Sequence, residues 1–309
     1  MKELQIIVGE GTEYPLKGIL TLPDNTEHPV PGAVFVHGSG SSDMNEHIGG
    51  LYPFRDLAHA LAEKGIASIR YDKRSFAHGR KMLKNIHPVT VYEETIEDAV
   101  FAADLLRADP RIDKDNVFII GHSMGAMLAP RIDDEGGSFK GIIMMAGSPY
   151  KLEEILERQL GELTANSKGL KARIITKQAA KIKESFSSLY EMDIEETKKK
   201  KMAGGTTLYY FREMGEHPVM SYLEKTDKPV LIMQGDKDFQ CRADVDYKAF
   251  EDALKDRDNV TFHLYPGLNH VFVVSLGYDD AKAMKEYGPK RQIPSDVSDD
   301  IAAWIHKNA

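Results

Sequence analysis

Apolar and polar positions follow two periods along most of this chain. Eight segments have the apolar or alternating character of β-strands: 4–8, 16–22, 32–36, 67–71, 116–120, 141–146, 229–233 and 260–265. Apolar residues recur at helical spacing in segments 53–64, 90–107, 243–254 and roughly 295–307. Near-continuous apolar strands separated by helices indicate a parallel sheet that is buried on both faces. The pattern therefore predicts an α/β fold with a mostly parallel sheet of about eight strands, flanked by helices.

The alternation of strand and helix is interrupted between residues 149 and 226. Two amphipathic stripes occur there, formed by Leu152, Ile155, Leu156, Leu160 and Leu163 and by Ile175, Ala179, Ile182, Phe186 and Leu189. One crossover between strands needs only one helix, so we interpret this stretch as a helical cap inserted over one end of the sheet. The core then comprises residues 1–148 and 227–309. The alternative is that these helices flank the sheet as ordinary parts of the core.

Composition and charge narrow the classes of partner. The 309 residues carry a formal net charge of −8, which repels phosphate backbones and argues against a nucleic-acid partner. The single cysteine, Cys241, allows no internal disulfide and suits a reducing compartment. The amino terminus lacks a signal-peptide pattern, and no stretch approaches the ~20 apolar residues of a membrane span. We therefore expect a cytoplasmic protein without membrane contact. The oligomeric state stays open, a homodimer included.

The strongest local signal is the segment Gly121-His122-Ser123-Met124-Gly125. It follows an apolar strand and opens a helix-like stretch, which is the context that a G-x-S-x-G nucleophile elbow requires. The turn is so tight that the residues two before and two after the serine must be very small. A helix amino terminus behind the serine also favours developing negative charge. We interpret Ser123 as a nucleophile, and the alternative is a glycine-rich turn with an incidental serine.

A serine hydroxyl needs a base, and three histidines follow the late strands. His263 lies inside strand 260–265, and His306 lies on the final helix. His270 lies in the loop after the last strand, and loops at the carboxyl ends of parallel strands form the site in such sheets. We therefore predict that His270 is the base.

An acid should hold the imidazole, and the segment after strand 229–233 offers two aspartates. Asp238 lies three residues beyond Gly235, which leaves room for a turn toward the histidine loop. Asp236 lies closer to the strand. We favour Asp238 as the acid and interpret Asp236 as a turn residue.

Two backbone N–H groups should stabilise a developing oxyanion. One belongs to Met124, directly after the nucleophile. We assign the other to Ser39, in the glycine-rich loop after strand 32–36, with Gly38 and Gly40 as alternatives. His37 is expected to brace this loop by hydrogen bonding. His122 lies beside the nucleophile, but on a tight turn its side chain should point elsewhere, so it is not the base.

The motifs HGSG, YDKR (residues 71–74), GHSMG, GDKD and LNH occur in the order of bacterial α/β-hydrolase esterases, which the chain resembles. It is similar above all to carboxylesterases related to dienelactone hydrolases and acyl-CoA thioesterases. The resemblance implies the α/β-hydrolase fold and a serine ester hydrolase with a helical cap. It places Ser123, Asp238 and His270 as the catalytic triad and Ser39 and Met124 at the oxyanion hole.

The chain departs from these relatives where the substrate would bind. Residues 75–79 replace a glycine-rich stretch, and Asp43, Glu46 and His47 follow HGSG at the expected entrance. Further candidates for substrate binding share a place near the motifs or in the cap: His37, Gly38, Gly40, His122, Arg74 and Phe211. Dienelactone hydrolases use a cysteine nucleophile, whereas Cys241 lies outside the elbow and is interpreted as a packing residue.

The sequence holds no spaced metal-binding motif and no nucleotide-binding glycine motif, so no metal or cofactor is expected. The favoured hypothesis is a serine carboxylic ester hydrolase that forms an acyl-enzyme on small-molecule esters with short or aromatic acyl groups. A thioesterase, an acyltransferase or a peptidase on the same scaffold is the alternative. A binding protein without catalysis would lack a triad member, and none is missing.

Overall fold

The computed structural model describes residues 1–86, 88–167, 169–202, 205–278 and 280–309. Its centre is one sheet with strand order β1-β2-β4-β3-β5-β6-β7-β8. The strands are β1 (Lys2–Val8), β2 (Leu16–Leu22), β3 (Val30–Val36), β4 (Ala67–Tyr71), β5 (Ile112–His122), β6 (Ile142–Met145), β7 (Val230–Gly235) and β8 (Val260–Tyr265). β2 pairs antiparallel with β1 and β4, and the remaining pairs are parallel. The carboxyl ends of β3, β5, β7 and β8 therefore meet at one edge of the sheet.

Helices cover both faces of this sheet. The helices outside the long β6–β7 connection are α1 (Pro53–Glu63), α2 (Arg74–Met82), α3 (Glu97–Ala108), α4 (Met124–Ile132), α10 (Lys248–Leu254) and α11 (Ser295–Asn308). Successive strand residues point to opposite faces, so Ile119 packs in the cluster with α3, α4 and α10, whereas Phe118 packs in the cluster with α1 and α11. This arrangement confirms the predicted α/β class and explains why the strands are apolar on both sides.

The connection between β6 and β7 is built from helices throughout its described residues. They are α5 (Leu152–Ala165), α6 (Gly169–Ser187), α7 (Ile194–Lys199), α8 (Leu208–Glu216) and α9 (Val219–Leu223), and we call them together the helical segment. Phe186, Leu189, Leu208 and Phe211 form a small core of their own. Side chains of α5 and α8, among them Leu152 and Tyr210, also line a cavity with Met124 at the carboxyl edge of the sheet. No helix in the described part of the chain is long and apolar enough to cross a membrane.

Two elements differ from the sequence-based expectation. α2 was not predicted, because the stretch RSFAHGRKM is polar and buries only Arg74 and Met82, so it carries no apolar stripe. The helix predicted over 90–107 consists of a wide helical turn at Tyr92–Ile96 followed by α3. Thr90 Oγ1 accepts the Tyr92 N–H at 3.1 Å, as a capping threonine does.

Candidate active site

The link between β5 and α4 forces Ser123 into a backbone conformation that side chains rarely adopt. Its φ is 53° and its ψ is −119°, and its N–H donates to the Met145 carbonyl at 2.8 Å. A Cβ on Gly121 would lie 2.2 Å from the Gly125 carbonyl oxygen, and a Cβ on Gly125 would lie 2.2 Å from the Val36 carbonyl oxygen. Two glycines are therefore required, and the serine is presented at the amino terminus of α4.

His270 and Asp238 are joined directly. His270 Nδ1 lies 2.7 Å from Asp238 Oδ2. The carboxylate also accepts hydrogen bonds from Gln234 Nε2 at 2.7 Å and from the backbone N–H groups of Gln240 and Cys241. Both side chains are buried. Because a carboxylate can only accept, the shared proton sits on Nδ1, and Nε2 of neutral His270 is free to take a proton.

Ser123 and His270 line one cavity of about 240 Å³, which we call the polar cavity. Its other lining side chains are those of Ser39, Ser41, Ser42, Glu46, His47, Ile48, His122, Gln240, Val271 and Tyr287. Among the described residues, no hydrogen bond is formed by Ser123 Oγ. Catalytic contacts in substrate-free sites are often long and tighten when substrate binds.

The alternative residues lie in other surroundings. Asp236 Oδ1 accepts the Gly267 N–H at 2.6 Å and so holds the turn before the histidine loop. His263 bonds Asp300, and His306 bonds the Lys64 carbonyl oxygen. None of these three lines the polar cavity.

The loop after β3 lies against Ser123. A Cβ on Gly38 would be 3.1 Å from the Ser123 Cβ, so any larger residue would require the two chain segments to move apart by a few tenths of an ångström. The Gly38 N–H already donates to Glu46 Oε1 at 3.0 Å, which removes it as an oxyanion donor. Ser39 lines the polar cavity and, together with Met124, also lines a neighbouring cavity. Gly40 lines that neighbouring cavity as well.

The neighbouring cavity has a volume of about 320 Å³, and we call it the apolar cavity. Most of its larger side chains come from α2, from the turn that follows it and from the helical segment: Met82, Leu83, Ile86, Val89, Leu152, Leu156, Tyr210 and Phe211. Polar residues also contribute to its lining: Ser39, Ser41, Ser75, Glu94 and Thr206. The predicted residue Phe211 thus lines the same cavity as Met124. Arg74 does not, because its guanidinium group is buried against Asp98 and Glu97.

His122 and Glu46 form a buried pair that links three parts of the site. His122 Nδ1 lies 2.9 Å from Glu46 Oε1, and His122 Nε2 lies 2.9 Å from the His270 carbonyl oxygen. Both partners are acceptors, so the imidazole carries two protons. Burial alone lowers the pKa of His122, but the Glu46 charge and hydrogen bond outweigh it and leave that pKa raised. Both nitrogens are occupied, which leaves His122 unable to act as a base.

Sequence reasoning placed Glu46 only near the entrance and missed this pairing. The residue has a φ of 52°, and its partner His122 lies 76 positions away along the chain. The spacing of apolar and polar residues along the chain does not indicate a contact between two such distant positions.

His37 packs behind the loop that follows β3. Its Nε2 donates to the Asp43 carbonyl oxygen at 2.9 Å, and its ring lies 5.0 Å from that of Phe54. Burial lowers the pKa of His37 to about 4, and the nearby Glu46 charge opposes this shift only in part. A neutral His37 braces the loop without touching the polar cavity.

Cys241 is a buried free thiol, and its backbone N–H donates to Asp238 Oδ1 at 3.0 Å. Burial, followed by the charges of Asp238 and Asp246, raises the pKa of the thiol well above its ordinary value. Within the part of the chain that the structure describes, no cluster of three or more histidine, cysteine or acidic residues could hold a metal ion.

Comparison with protein families decides the relationship. The model of the family described as serine aminopeptidase, S33 (Hydrolase_4) matches residues 29–274, a span that contains Ser123, Asp238 and His270. The chain belongs to this family. Among S33 relatives, esterase EstD of Thermotoga maritima is 33% identical over 294 residues, which cover 94% of this chain and 66% of that protein. The chain thus spans slightly less than two thirds of the length of this curated relative.

Solved structures similar to this S33 family member have the same fold. Est1E from Butyrivibrio proteoclasticus superposes with a TM-score of 0.58 at 18% identity, over 92% of this chain and 96% of that one. A proline iminopeptidase from Mycobacterium smegmatis gives a TM-score of 0.60 at 15% identity, over 99% and 98% of the two chains. At these identities the likeness concerns the fold alone, and it confirms the predicted α/β-hydrolase architecture.

Proposed function

We propose that this protein is a serine carboxylic ester hydrolase that works through an acyl-enzyme. One observation carries the proposal: His270, whose Nδ1 lies 2.7 Å from Asp238 Oδ2, lines the same cavity as Ser123. Ser123 lies at the amino terminus of α4 in a strained backbone conformation. The name of the relative EstD, an esterase, supports the same reaction class.

In the first half-reaction, Ser123 Oγ attacks the ester carbonyl carbon while His270 Nε2 takes its proton. The carbonyl oxygen becomes an oxyanion that accepts hydrogen bonds from the Ser39 and Met124 N–H groups. The intermediate collapses when the bond to the alcohol oxygen breaks. His270 then gives its proton to the departing alcohol, and the acyl group remains on Ser123.

In the second half-reaction, His270 Nε2 takes a proton from water, and the resulting hydroxide attacks the acyl carbon. The bond to Ser123 Oγ breaks, its proton returns from His270, and the acid leaves. Asp238 stabilises the imidazolium in both halves. The helical segment acts as a cap over the acyl group, because Leu152, Leu156 and Phe211 line the apolar cavity.

The Ser123→Ala variant tests the proposal. It should lose on the order of 10⁴-fold in kcat on p-nitrophenyl esters while keeping its fold. A fluorophosphonate should label the wild-type protein at Ser123 and fail to label the variant, as read by intact mass. Ser187→Ala, at an exposed serine of α6, is the matched control and should keep full activity. Wild-type turnover in Ser123→Ala would refute the assignment.

Peptide hydrolysis is the second candidate, because the family takes its description from a serine aminopeptidase. An ester, a thioester and an amide of one acyl group separate the alternatives. The proposal requires the ester to have the highest kcat/KM. A higher value for the amide would favour the peptidase.

A further inference from the structure

Two cavities of different chemistry meet at the site, and each touches a different part of the catalytic machinery. The polar cavity contains Ser123 and His270, whereas the apolar cavity contains Met124. Ser39 and Ser41 line both, so the loop after β3 forms the boundary. If the proposed ester hydrolysis is correct, the two cavities hold different parts of the substrate.

Stereochemistry decides which half of an ester enters which cavity. The base that protonates the departing alcohol must lie beside the alcohol oxygen, so the alcohol extends toward His270. The carbonyl oxygen points to the Ser39 and Met124 N–H groups. The acyl chain is the remaining substituent and extends away from His270. The alcohol therefore occupies the polar cavity, and the acyl chain occupies the apolar cavity.

The polar cavity suits an alcohol that carries further hydroxyl groups but no negative charge. Ser41, Ser42, Gln240 and Tyr287 supply polar side chains, and no lysine or arginine is among the described residues that line this cavity. Burial raises the pKa of Glu46, but the charge and hydrogen bond of His122 outweigh it and leave that pKa lowered. Within this lining the Glu46 carboxylate is paired with the His122 imidazolium, and the nearby Asp238 carboxylate is bonded to His270.

We propose that the substrates are esters between an apolar acid and a small, uncharged, hydroxylated alcohol. The apolar cavity, about 320 Å³ in volume, accepts an extended aliphatic or aromatic acyl group. A phosphate-bearing leaving group such as that of coenzyme A thioesters is disfavoured, because the His122 imidazolium is already paired with Glu46 and the described lining holds no lysine or arginine.

Octanoyl esters of glycerol, ethanol and glycerol 3-phosphate test the alcohol side. The glycerol ester should exceed the ethyl ester about tenfold in kcat/KM, the effect of one or two added hydrogen bonds. It should exceed the glycerol 3-phosphate ester by at least about tenfold. For the acyl side, kcat/KM of p-nitrophenyl esters should rise up to about fourfold for each added methylene until the cavity is full.

Two variants show whether the sides are separate. Gln240→Leu should abolish the preference for glycerol over ethanol and leave the acyl series unchanged. Leu156→Trp should shorten the acceptable acyl chain and leave the alcohol ratio unchanged. Equal rates on the glycerol and ethyl esters would overturn the substrate assignment, although turnover continued. Loss of all ester hydrolysis and of fluorophosphonate labelling would instead refute the proposed function.

A separate observation concerns Lys73, a lysine that is 1% exposed and lies two residues after the end of β4. Its Nζ donates to the Gly38 carbonyl oxygen at 2.9 Å and lies 3.6 Å from Glu94 Oε2. The Gly38 carbonyl and the Ser39 N–H belong to one planar peptide unit, so fixing the carbonyl fixes the direction of the N–H. On its other side, Gly38 is held by Glu46.

The geometry points to Lys73 as a positioning residue that aims the Ser39 N–H at the oxyanion. Its ammonium group touches no reacting atom, but its charge also draws electron density toward the carbonyl oxygen and makes the N–H a stronger donor. The effect belongs to the transition state, because only there does the substrate oxygen carry a full charge.

Lys73→Met should lower kcat between about 10- and 100-fold, less than the loss of a whole oxyanion donor. KM should change less than about threefold, whereas the affinity for a trifluoromethyl ketone, which forms a tetrahedral adduct, should fall in parallel with kcat. Lys73→Arg should recover part of both losses.

Lys73→Met also removes the cation that lies beside the buried Glu94 carboxylate. The double variant Lys73→Met/Glu94→Gln is therefore compared with Glu94→Gln alone. The double variant should match that single variant in denaturation midpoint yet keep the deficit in kcat and in ketone affinity. If kcat and ketone affinity of the double variant both equalled those of Glu94→Gln, the positioning role would be overturned, and Lys73 would be only an ion-pair partner of Glu94.

Discussion

The loops at the carboxyl edge of the sheet and the helical segment meet at the same site, but their polar contacts differ in kind. In the loops, many bonds are local: Asp238 accepts the N–H groups two and three residues onward, and Asn269 Oδ1 accepts those of Val271 and Val273. The helical segment reaches the core through contacts distant in sequence. Arg158 bonds Asp246 across 88 positions, and Tyr210 bonds Glu94 across 116.

Local bonds fix the direction of a side chain almost independently of the rest of the fold. Distant bonds attach one element to another and depend on both being in place. On the proposed mechanism, the loop contacts therefore set the catalytic geometry, whereas the contacts of the helical segment set how stably it is attached. Substitutions in the two regions should differ accordingly in what they change.

The largest effect is expected in the loops, from Asp238→Asn. An asparagine cannot stabilise the imidazolium and presents the wrong partner to Nδ1, so kcat should fall on the order of 10⁴-fold. Asp236→Asn is the control, because its side-chain oxygen can still accept the Gly267 N–H, and it should change kcat less than about threefold. Steady-state kinetics on a p-nitrophenyl ester measures both. A larger loss in the control would reverse the assignment of the acid.

In the helical segment, Arg158→Met should act on stability first. Asp246 is fully buried and would keep only the Ser148 hydroxyl and the Arg242 N–H, so the free energy of unfolding should fall by about 3 kcal/mol. Lys248→Met removes an exposed pair with Asp252 and should leave the free energy of unfolding nearly unchanged, because solvent screens such a pair. Denaturant titration distinguishes the two. An Arg158→Met protein as stable as wild type would show that the segment is held in another way.

A smaller effect concerns the dependence of loop stability on pH. Burial lowers the pKa of His37 from 6.5 to about 4, so between these values the unfolded chain binds a proton that the folded chain does not. The contribution of neutral His37 to the free energy of unfolding is therefore fully present above pH 6.5 and is lost as the pH falls toward 4. Between pH 7 and pH 5 the loss should be about 2 kcal/mol, and His37→Gln should lack it. Equal pH slopes for the two proteins would contradict a neutral, buried His37.

The sequence predicted the sheet well because its strands are apolar on both faces and are separated by glycine and proline. Apolar runs indicated all eight strands, although β5 begins four residues earlier than expected, at Ile112. The residues Ser123, Asp238 and His270 were selected from local motifs, and the structure places them at one edge because parallel strands end there.

The residues that sequence reasoning missed are those whose partners are distant. Lys73 reaches Gly38 across 35 positions, and Glu46 reaches His122 across 76. A single charged side chain has no period, so nothing in the pattern distinguishes a buried lysine from an exposed one. Arg74 shows the converse, since its place in the motif suggested the site while its charge is bound to Asp98.

The crowding at the elbow also limits how this protein can change over generations. At positions 121 and 125 even a methyl group would overlap backbone atoms, and backbone cannot swing aside as a side chain can. Exchange of the serine itself needs only a residue that tolerates its unusual torsion angles. In a library of all single replacements, we therefore expect some folded variants at position 123 and none at positions 121 and 125.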